Sequence, residues 1–110
     1  MATKANLVID QGSTYSTTLN LTDENGDPLN LSGFTANSQI RKWYTSSNAV
    51  SFSTSINSIS GQITLSLTAL QTANLVATRY VYDVEITETS TNAVSRIVEG
   101  IVTVTPEVTK

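Results

Sequence analysis

The sequence predicts an all-β protein folded as a sandwich of two sheets. Apolar and polar residues alternate with a period of two along almost the whole chain, as in strands with one buried face. Turn-forming residues interrupt this alternation at intervals of about 8–12 residues, which is typical of a sandwich. A chain of 110 residues has the usual length of one domain. We therefore expect residues 1–110 to share a single core.

Four strands are predicted in the first half of the chain, over residues 5–9, 15–21, 34–44 and 50–56. Between the second and third strands, Asn25-Gly26 suits a turn with positive φ, and Pro28 stops strand pairing. Leu29 and Leu31 follow this turn. We expect both leucines to pack beneath the sheet before the third strand begins.

Three more strands are predicted over residues 63–67, 80–86 and 94–105. Before the second of these, Thr68 and Gln71 match a capping box, with Thr at the N-cap and Gln at N3. They predict a helical turn that extends to about Leu75 and crosses from one sheet to the other. In the last strand, apolar pairs on both sides of Gly100 predict a β-bulge at this glycine.

Seven short strands and one helical turn together indicate an immunoglobulin-like sandwich. Tyr80 begins the sixth strand just after the helical turn, where such folds often place a tyrosine corner. For the order of the strands, we expect residues 5–9 near one end of the pairing scheme. Residues 94–105 should form a long central strand, because apolar residues point to both of its faces around Gly100.

Composition removes most kinds of catalytic site. The chain has no Cys and no His, so thiol chemistry, Ser-His-Asp catalysis and Cys/His metal sites lack their side chains. Six basic residues are scattered among nine acidic ones, whereas nucleic-acid binding needs a clustered basic face. No apolar run approaches the ~18 residues of a membrane span, and the N-terminus lacks a signal-peptide pattern. We expect no enzyme activity, no cofactor, and no nucleic-acid, membrane or small-molecule partner.

Two groups of acidic residues have a structural and a functional interpretation. Asp83 and Glu85 lie two residues apart on a strand, so both point outward and could form a carboxylate pair. The simpler interpretation is a solvated face on which they pair with Arg96 or Arg79.

The second acidic group is Asp23-x-Asn25-x-Asp27, which resembles the start of a calcium loop. The positions that would need Gly and Glu hold Pro28 and Phe34, which excludes an EF-hand. A turn explains this segment, and incidental calcium binding is the alternative.

The candidate contact site for a partner is the cluster of Arg41, Lys42, Trp43 and Tyr44 at the end of the third strand. Trp, Tyr and Arg dominate protein interfaces, and an aromatic pair can also stack on a sugar. Alternatively, Trp43 lies in the core or over a sheet edge, with the basic residues at its rim. An exposed aromatic platform would favour binding, and a buried Trp43 would favour a purely structural role.

The surface composition is typical of a protein that packs among close neighbours. There are 18 Thr and 14 Ser, and only 14% of residues are charged, against a usual share of about 25%. Neutral hydroxyl groups solvate a pleated surface without charge repulsion. We therefore expect this surface to tolerate crowded packing.

Several segments resemble a pattern found in virion proteins of tailed bacteriophages. They are IDQG at residues 9–12, DENG at 23–26 and PLNLSGFT at 28–35, followed by IRK at 40–42, RYVYDVE at 79–85 and VEGIVTV at 98–104. In order and spacing they are similar to the N-terminal immunoglobulin-like domain of phage upper baseplate proteins, and to small virion structural proteins of marine cyanophages. Those baseplate proteins continue into further domains, whereas this sequence ends at Lys110, so we expect it not to be a long adaptor.

The resemblance implies a β-sandwich without activity of its own, made in the host cytoplasm and located in the virion. It would dock in multiple copies on the particle, as a capsid decoration or as a tail or baseplate component. Its partners would be other virion proteins and copies of itself. The alternative function is a module that binds a glycan or a protein on the host surface.

Overall fold

Strands account for most of the chain in the computed structural model, which describes residues 3–23, 25–43 and 49–108. Within these residues there are nine strands and one helix. In chain order they are β1 (Thr3–Lys4), β2 (Leu7–Asp10), β3 (Tyr15–Asn20), β4 (Phe34–Arg41), β5 (Ala49–Ser51), β6 (Ser53–Asn57), β7 (Gln62–Leu67), α1 (Ala69–Ala73), β8 (Arg79–Glu88) and β9 (Val94–Thr105).

The strands form two sheets that pack face to face. Sheet A has the order β1–β9–β8–β4–β5, with β2 also pairing with β9, and sheet B has the order β3–β7–β6. Alternate side chains of each strand face the interior, because successive residues of a strand point to opposite sides. The predicted all-β sandwich of two sheets with one short helix is therefore confirmed. The described residues form nine strands instead of about seven, because one predicted strand is divided and a short additional strand, β1, precedes the strand predicted over residues 5–9.

The additional strand is near the N-terminus, and of the predicted residues 5–9 only residues 7–9 lie in a strand, β2. β1 and β2 both run parallel to β9 and keep one continuous register along it, from Thr3 opposite Val98 to Asp10 opposite Thr105. Residues 5–6 interrupt the pairing. As predicted, this N-terminal segment forms an edge of sheet A and β9 is a long interior strand, although β9 lies next to that edge and β8 occupies the middle of the sheet.

The predicted strand that is divided contains Phe52 at the division. The segment predicted as one strand over residues 50–56 pairs first with β4 in sheet A, as β5, and then with β7 in sheet B, as β6. Phe52 is buried between the two strands, and its ring lies 6.3 Å from the rings of Tyr15 and Tyr82. The chain thus changes sheets at a core aromatic residue.

The core contains the inward-facing side chains of both sheets. Its most buried members include Ile63, Leu65 and Leu67 of β7, which are 0–2% exposed and face the centre of sheet A. Leu31, expected to pack beneath the sheet, is 1% exposed, and Leu29 packs against the core with partial burial. Burying side chains of this kind contributes roughly 1.5–3 kcal/mol each.

The helix α1 connects sheet B to sheet A, as predicted. The Thr68 side chain accepts a hydrogen bond from the backbone nitrogen of Gln71 (3.2 Å), and the Gln71 side chain accepts one from the Thr68 nitrogen (2.9 Å). This is the predicted capping box, although the helix ends at Ala73 and not near Leu75. Thr72 anchors the helix by donating to the Ser13 carbonyl at 2.8 Å. None of the helical residues in the described part of the chain forms a segment able to cross a bilayer.

The predicted bulge at Gly100 is wrong. Val84 pairs with Val98 and Glu85 pairs with Arg96, so Ile97 is the extra residue on β9. Gly100 pairs regularly with Tyr82. Position 100 instead requires a glycine on steric grounds, since a Cβ atom there would collide with the backbone carbonyl of Ala5.

Candidate functional site

The cluster predicted as a partner contact lies where β4 ends. β4 stops at Arg41, and Lys42 and Trp43 follow it in a bend. Trp43 is 57% exposed, so the interpretation that places it in the core is wrong for this residue. Tyr44 lies outside the described residues.

Trp43 forms one wall of a mainly apolar groove of about 700 Å³ at this end of the sandwich. The opposite wall is the turn between α1 and β8, where Val76 is 70% exposed. The start of β5 and the side chains of Ile40 and Tyr80 complete the groove. An exposed Trp beside an apolar groove is a typical anchor for a protein partner or a ligand.

Lys42 forms hydrogen bonds that link the end of β4 to the turn between α1 and β8. Its Nζ donates to Thr78 Oγ1 at 3.0 Å and to the Arg79 carbonyl at 3.4 Å. The same nitrogen lies 5.7 Å from the centre of the Tyr80 ring, which is a cation–π contact. The groove therefore has an ammonium group at its border.

The turn that forms the opposite wall is held by the predicted tyrosine corner. Tyr80 donates its hydroxyl hydrogen to the carbonyl of Val76, four residues earlier, at 2.8 Å. This bond back to an upstream carbonyl is the geometry of a tyrosine corner at the start of a strand. The bond holds the turn in which Val76 lines the groove together with Trp43.

Arg41 does not join this groove. Its guanidinium donates to Gln39 Oε1 at 2.8 Å, and the side chain lines a shallow depression of about 230 Å³ on the outer face of sheet A. The four predicted contact residues are therefore separated. Lys42 and Trp43 share the groove, and Arg41 lies on another surface.

Val76 and Thr78 are contributors to the groove that sequence reasoning missed. The available signal was the run Leu75-Val76-Ala77 immediately after the helix. Only Leu75 of these three is buried, at 5% exposure. Three consecutive apolar residues cannot all point into the core. At least one of them therefore has to lie at the surface.

Of the two acidic residues predicted as a pair on β8, Asp83 belongs to a chain of ion pairs. Arg96 Nε lies 3.3 Å from Asp83 Oδ2, and Arg96 Nη1 lies 3.3 Å from Glu99 Oε2. Lys4 Nζ lies 3.6 Å from Glu99 Oε1. The predicted pairing of Asp83 with Arg96 is confirmed, and the arrangement fits a solvated face. Exposed pairs of this kind contribute about 0–1 kcal/mol each.

In the acidic loop after β3, the Asp23 side chain is hydrogen-bonded to the backbone of the loop itself. Asp23 Oδ1 accepts hydrogen bonds from the backbone nitrogens of Asn25 (2.9 Å) and Asp27 (3.1 Å). These are the bonds of an Asx turn, as the turn interpretation requires. Among the residues that the structure describes, no three acidic side chains are grouped as metal ligands would be.

Two tyrosines have perturbed acidity, and both belong to the core. Burial raises the pKa of Tyr82 to about 12, and the nearby Tyr15 adds to this effect. Burial also raises the pKa of Tyr15, while a hydrogen bond with Thr17 lowers it in part. These shifts follow from packing, so they do not identify a reactive group.

The outer face of sheet B carries only neutral polar side chains, arranged in rows of like residues. Across β3, β7 and β6 the rows are Ser16–Ser66–Ser53, Thr18–Thr64–Ser55 and Asn20–Gln62–Asn57. Two of the rows contain cross-strand hydrogen bonds, one between the hydroxyl groups of Thr18 and Thr64 at 3.1 Å and one from Gln62 Nε2 to Asn20 Oδ1 at 2.9 Å. We call these nine residues the hydroxyl–amide face.

The site thus has two parts, an apolar groove with an exposed indole and a broad face without charges. No protein-family model matches the chain, and a search of curated proteins finds no match.

Proposed function

We propose that this chain is a non-enzymatic structural protein of a tailed-bacteriophage particle. It would dock in multiple copies, as a capsid decoration or as a tail or baseplate component. The observation that carries the proposal is the hydroxyl–amide face, on which nine neutral side chains cover one sheet. The sequence resemblance to phage virion proteins supports a tailed bacteriophage as the particle to which the protein belongs.

A neutral face suits repeated packing for an electrostatic reason. The chain has a net charge of −3, so neighbouring copies repel one another. Contact through the hydroxyl–amide face places no like charges together. Hydroxyl and amide groups both donate and accept hydrogen bonds, so this face can pair with a polar neighbour directly or through water.

The groove beside Trp43 supplies a second kind of contact. An indole that is 57% exposed has apolar surface to bury against a partner, and Trp is among the residues that contribute most to binding energy. The partners would be other virion proteins and further copies of this chain. Modest contacts are sufficient in such an assembly, because several copies engaged together provide avidity.

The experiment is to count this protein in purified particles and to compare the count with the free protein in infected cells. Many copies per particle support a coat, and a handful support a tail or baseplate role. Complete absence from purified particles would contradict the proposal. A lysine introduced at the centre of the hydroxyl–amide face, Thr64→Lys, should reduce incorporation. Gln39→Lys, on the outer face of sheet A, is the matched control.

The second candidate function is a module that binds a glycan or a protein on the host surface. The exposure of Trp43 beside the groove favours it, since an exposed indole can stack on a sugar ring. Purified protein would then bind host cells, and Trp43→Ala would abolish that binding while leaving incorporation into particles unchanged. If Trp43→Ala instead lowers incorporation and host cells bind neither protein, the structural role is favoured.

A further inference from the structure

β3 is the open edge of sheet B. It pairs with β7 on one side, from Tyr15 opposite Leu67 to Asn20 opposite Gln62. On its other side, no backbone hydrogen bond joins it to any segment within residues 3–23, 25–43 and 49–108. The opposite edge of sheet B, β6, approaches β4, where the Phe52 nitrogen just before β6 donates to the Ser38 carbonyl (3.0 Å) and Thr54 Oγ1 donates to the Ala36 carbonyl (3.0 Å).

β3 also lacks the features that protect sheet edges. Natural edges carry charges, proline, bulges or very short strands, which prevent pairing with another chain. The six residues YSTTLN contain no charge and no proline, and their register with β7 is unbroken. The edges of sheet A are different. β5 has three residues, and the edge formed by β1 and β2 is interrupted at residues 5–6, beside Lys4.

The inward side chains of β3 are incompletely covered. Tyr15, Thr17 and Leu19 are half-buried, although the residues they oppose on β7 are 0–2% exposed. Beside Leu19 there is a cleft of about 320 Å³, whose lining also includes Leu21 and Ile97. Apolar surface therefore remains open along the same edge that offers unpaired backbone groups.

We propose that β3 pairs with β3 of a second copy of this chain, antiparallel about a two-fold axis at Thr17. In this register Thr17 lies opposite the partner's Thr17. Tyr15 lies opposite the partner's Leu19, and on the outer face Ser16 lies opposite the partner's Thr18. Each inward position meets an inward position, as antiparallel pairing requires, and the aromatic–aliphatic pair occurs twice by symmetry.

The pairing joins the two copies of sheet B into one sheet of six strands. Their hydroxyl–amide faces then form one continuous neutral surface. Because β3 carries no charge, the contact avoids the repulsion between two copies of net charge −3. This inference rests on the proposed function, since it supplies the contact by which copies of the protein would associate on a particle.

Such a contact is expected to be weak in solution. In this register only five residues of β3, residues 15–19, pair with the same residues of the partner, which buries less than the ~800 Å² per partner of a standard interface. Association should therefore increase with protein concentration and be reversible. On a particle that holds many copies, the local concentration would favour the pairing.

Disulfide cross-linking tests the register directly, because the chain contains no Cys. Opposite residues in an antiparallel pair have Cβ atoms about 4.5–5.5 Å apart, close to the separation that a disulfide needs. Under mild oxidation, Thr17→Cys should form covalent dimers at least ten times faster than Ser55→Cys, the control on β6. Equal rates would overturn the proposal. Faster cross-linking of Thr18→Cys than of Thr17→Cys would overturn the register.

Sedimentation of the native chain tests the edge independently of oxidation. The wild-type protein should shift from monomer toward dimer as its concentration rises, and so should Ser55→Lys. Thr17→Lys should remain monomeric, because an inward lysine protects an edge. Circular dichroism checks whether Thr17→Lys is folded. If this variant does not fold, the cross-linking rates alone test the pairing of β3 with β3. A wild-type protein that stays monomeric at every concentration but is abundant in purified particles would overturn the self-pairing and leave the proposed function standing.

Discussion

The hydroxyl group of Tyr82 donates a hydrogen bond to the carbonyl oxygen of Ala5, a residue 77 positions earlier in the sequence. Tyr82 lies on β8, and Ala5 lies in the interruption between β1 and β2, so the bond passes over β9. It does so at Gly100, the residue that pairs with Tyr82. The absence of a side chain at position 100 therefore allows the N-terminal edge to contact a hydroxyl group of the core.

A methyl group at position 100 should destabilise the protein. In Gly100→Ala the new Cβ collides with the Ala5 carbonyl, which is backbone and cannot move aside as a flexible side chain could. We expect the free energy of unfolding to fall by about 1–3 kcal/mol, as in other overpacked sites. Urea unfolding measures this change. Ser95→Ala, at an exposed position on the same strand, is the control and should change stability by less than about 0.5 kcal/mol. Equal effects of the two variants would contradict this explanation.

The two tyrosine hydroxyls with backbone partners should differ in their contribution to stability. Tyr82 is 2% exposed, so Tyr82→Phe leaves the Ala5 carbonyl with little access to water and should cost about 1–3 kcal/mol. Tyr80→Phe removes the bond to the Val76 carbonyl at an exposed site, where water can replace the donor. We expect it to cost less than about 1 kcal/mol. Thermal unfolding of both variants checks the order, and a larger loss in Tyr80→Phe would be inconsistent with it.

Stability should be nearly constant from about pH 6 to 8 and should fall above about pH 10. The chain has no His to titrate in the neutral range. Tyr82 has a pKa of about 12 in the folded protein, against 10.0 for an ordinary tyrosine. Between these values the unfolded chain releases a proton that the folded chain keeps, so the free energy of unfolding decreases as the pH rises.

Unfolding midpoints measured from pH 6 to 12 test this dependence. Tyr82→Phe should show a shallower alkaline decline than the wild-type protein, because the shifted group is absent. A steep change between pH 6 and 8 would indicate a titrating group that the structure does not explain. An unchanged alkaline slope in Tyr82→Phe would show that another group causes the decline.

Trp43 is the only tryptophan in the chain, which makes its environment directly measurable. Because it is 57% exposed, its fluorescence should be that of a solvated indole and should be quenched efficiently by acrylamide. Trp43→Ala should change stability by no more than about 1 kcal/mol. Phe52→Ala, in the core, should cost about 3–5 kcal/mol. A blue-shifted emission that resists quenching would contradict the exposed position.

The sequence predicted the elements whose signals are local. The alternation along β8, the capping box at Thr68 and Gln71, and the tyrosine corner at Tyr80 all lie within a few residues of the structure they specify. The change of sheet at Phe52 was not predictable in this way. Both sheets face the same core, so the inward and outward alternation continues without a break through the residue where hydrogen-bonding partners change.

Gly100 and Trp43 illustrate a second limit. A glycine within a strand indicates either a bulge or a close approach, and the approaching atom belongs to Ala5, far away in the sequence. Similarly, the residues before Trp43 do not reveal that its groove is completed by the turn at residues 75–78. Both features depend on tertiary contacts between distant segments. The local sequence therefore left more than one interpretation open for the role of Gly100 and for the position of Trp43.

The parallel pairing of β2 with β9 has a consequence for synthesis. Leu7 lies opposite Val102 and Asp10 lies opposite Thr105. The strand β2 can therefore pair only after β9 has been made. Contacts between such distant residues slow folding, because a long loop has to close before they form. During translation, sheet A lacks the strand that lies between β8 and the N-terminal edge until β9 leaves the ribosome. We therefore expect sheet A to remain incompletely formed in the nascent chain until β9 has been made.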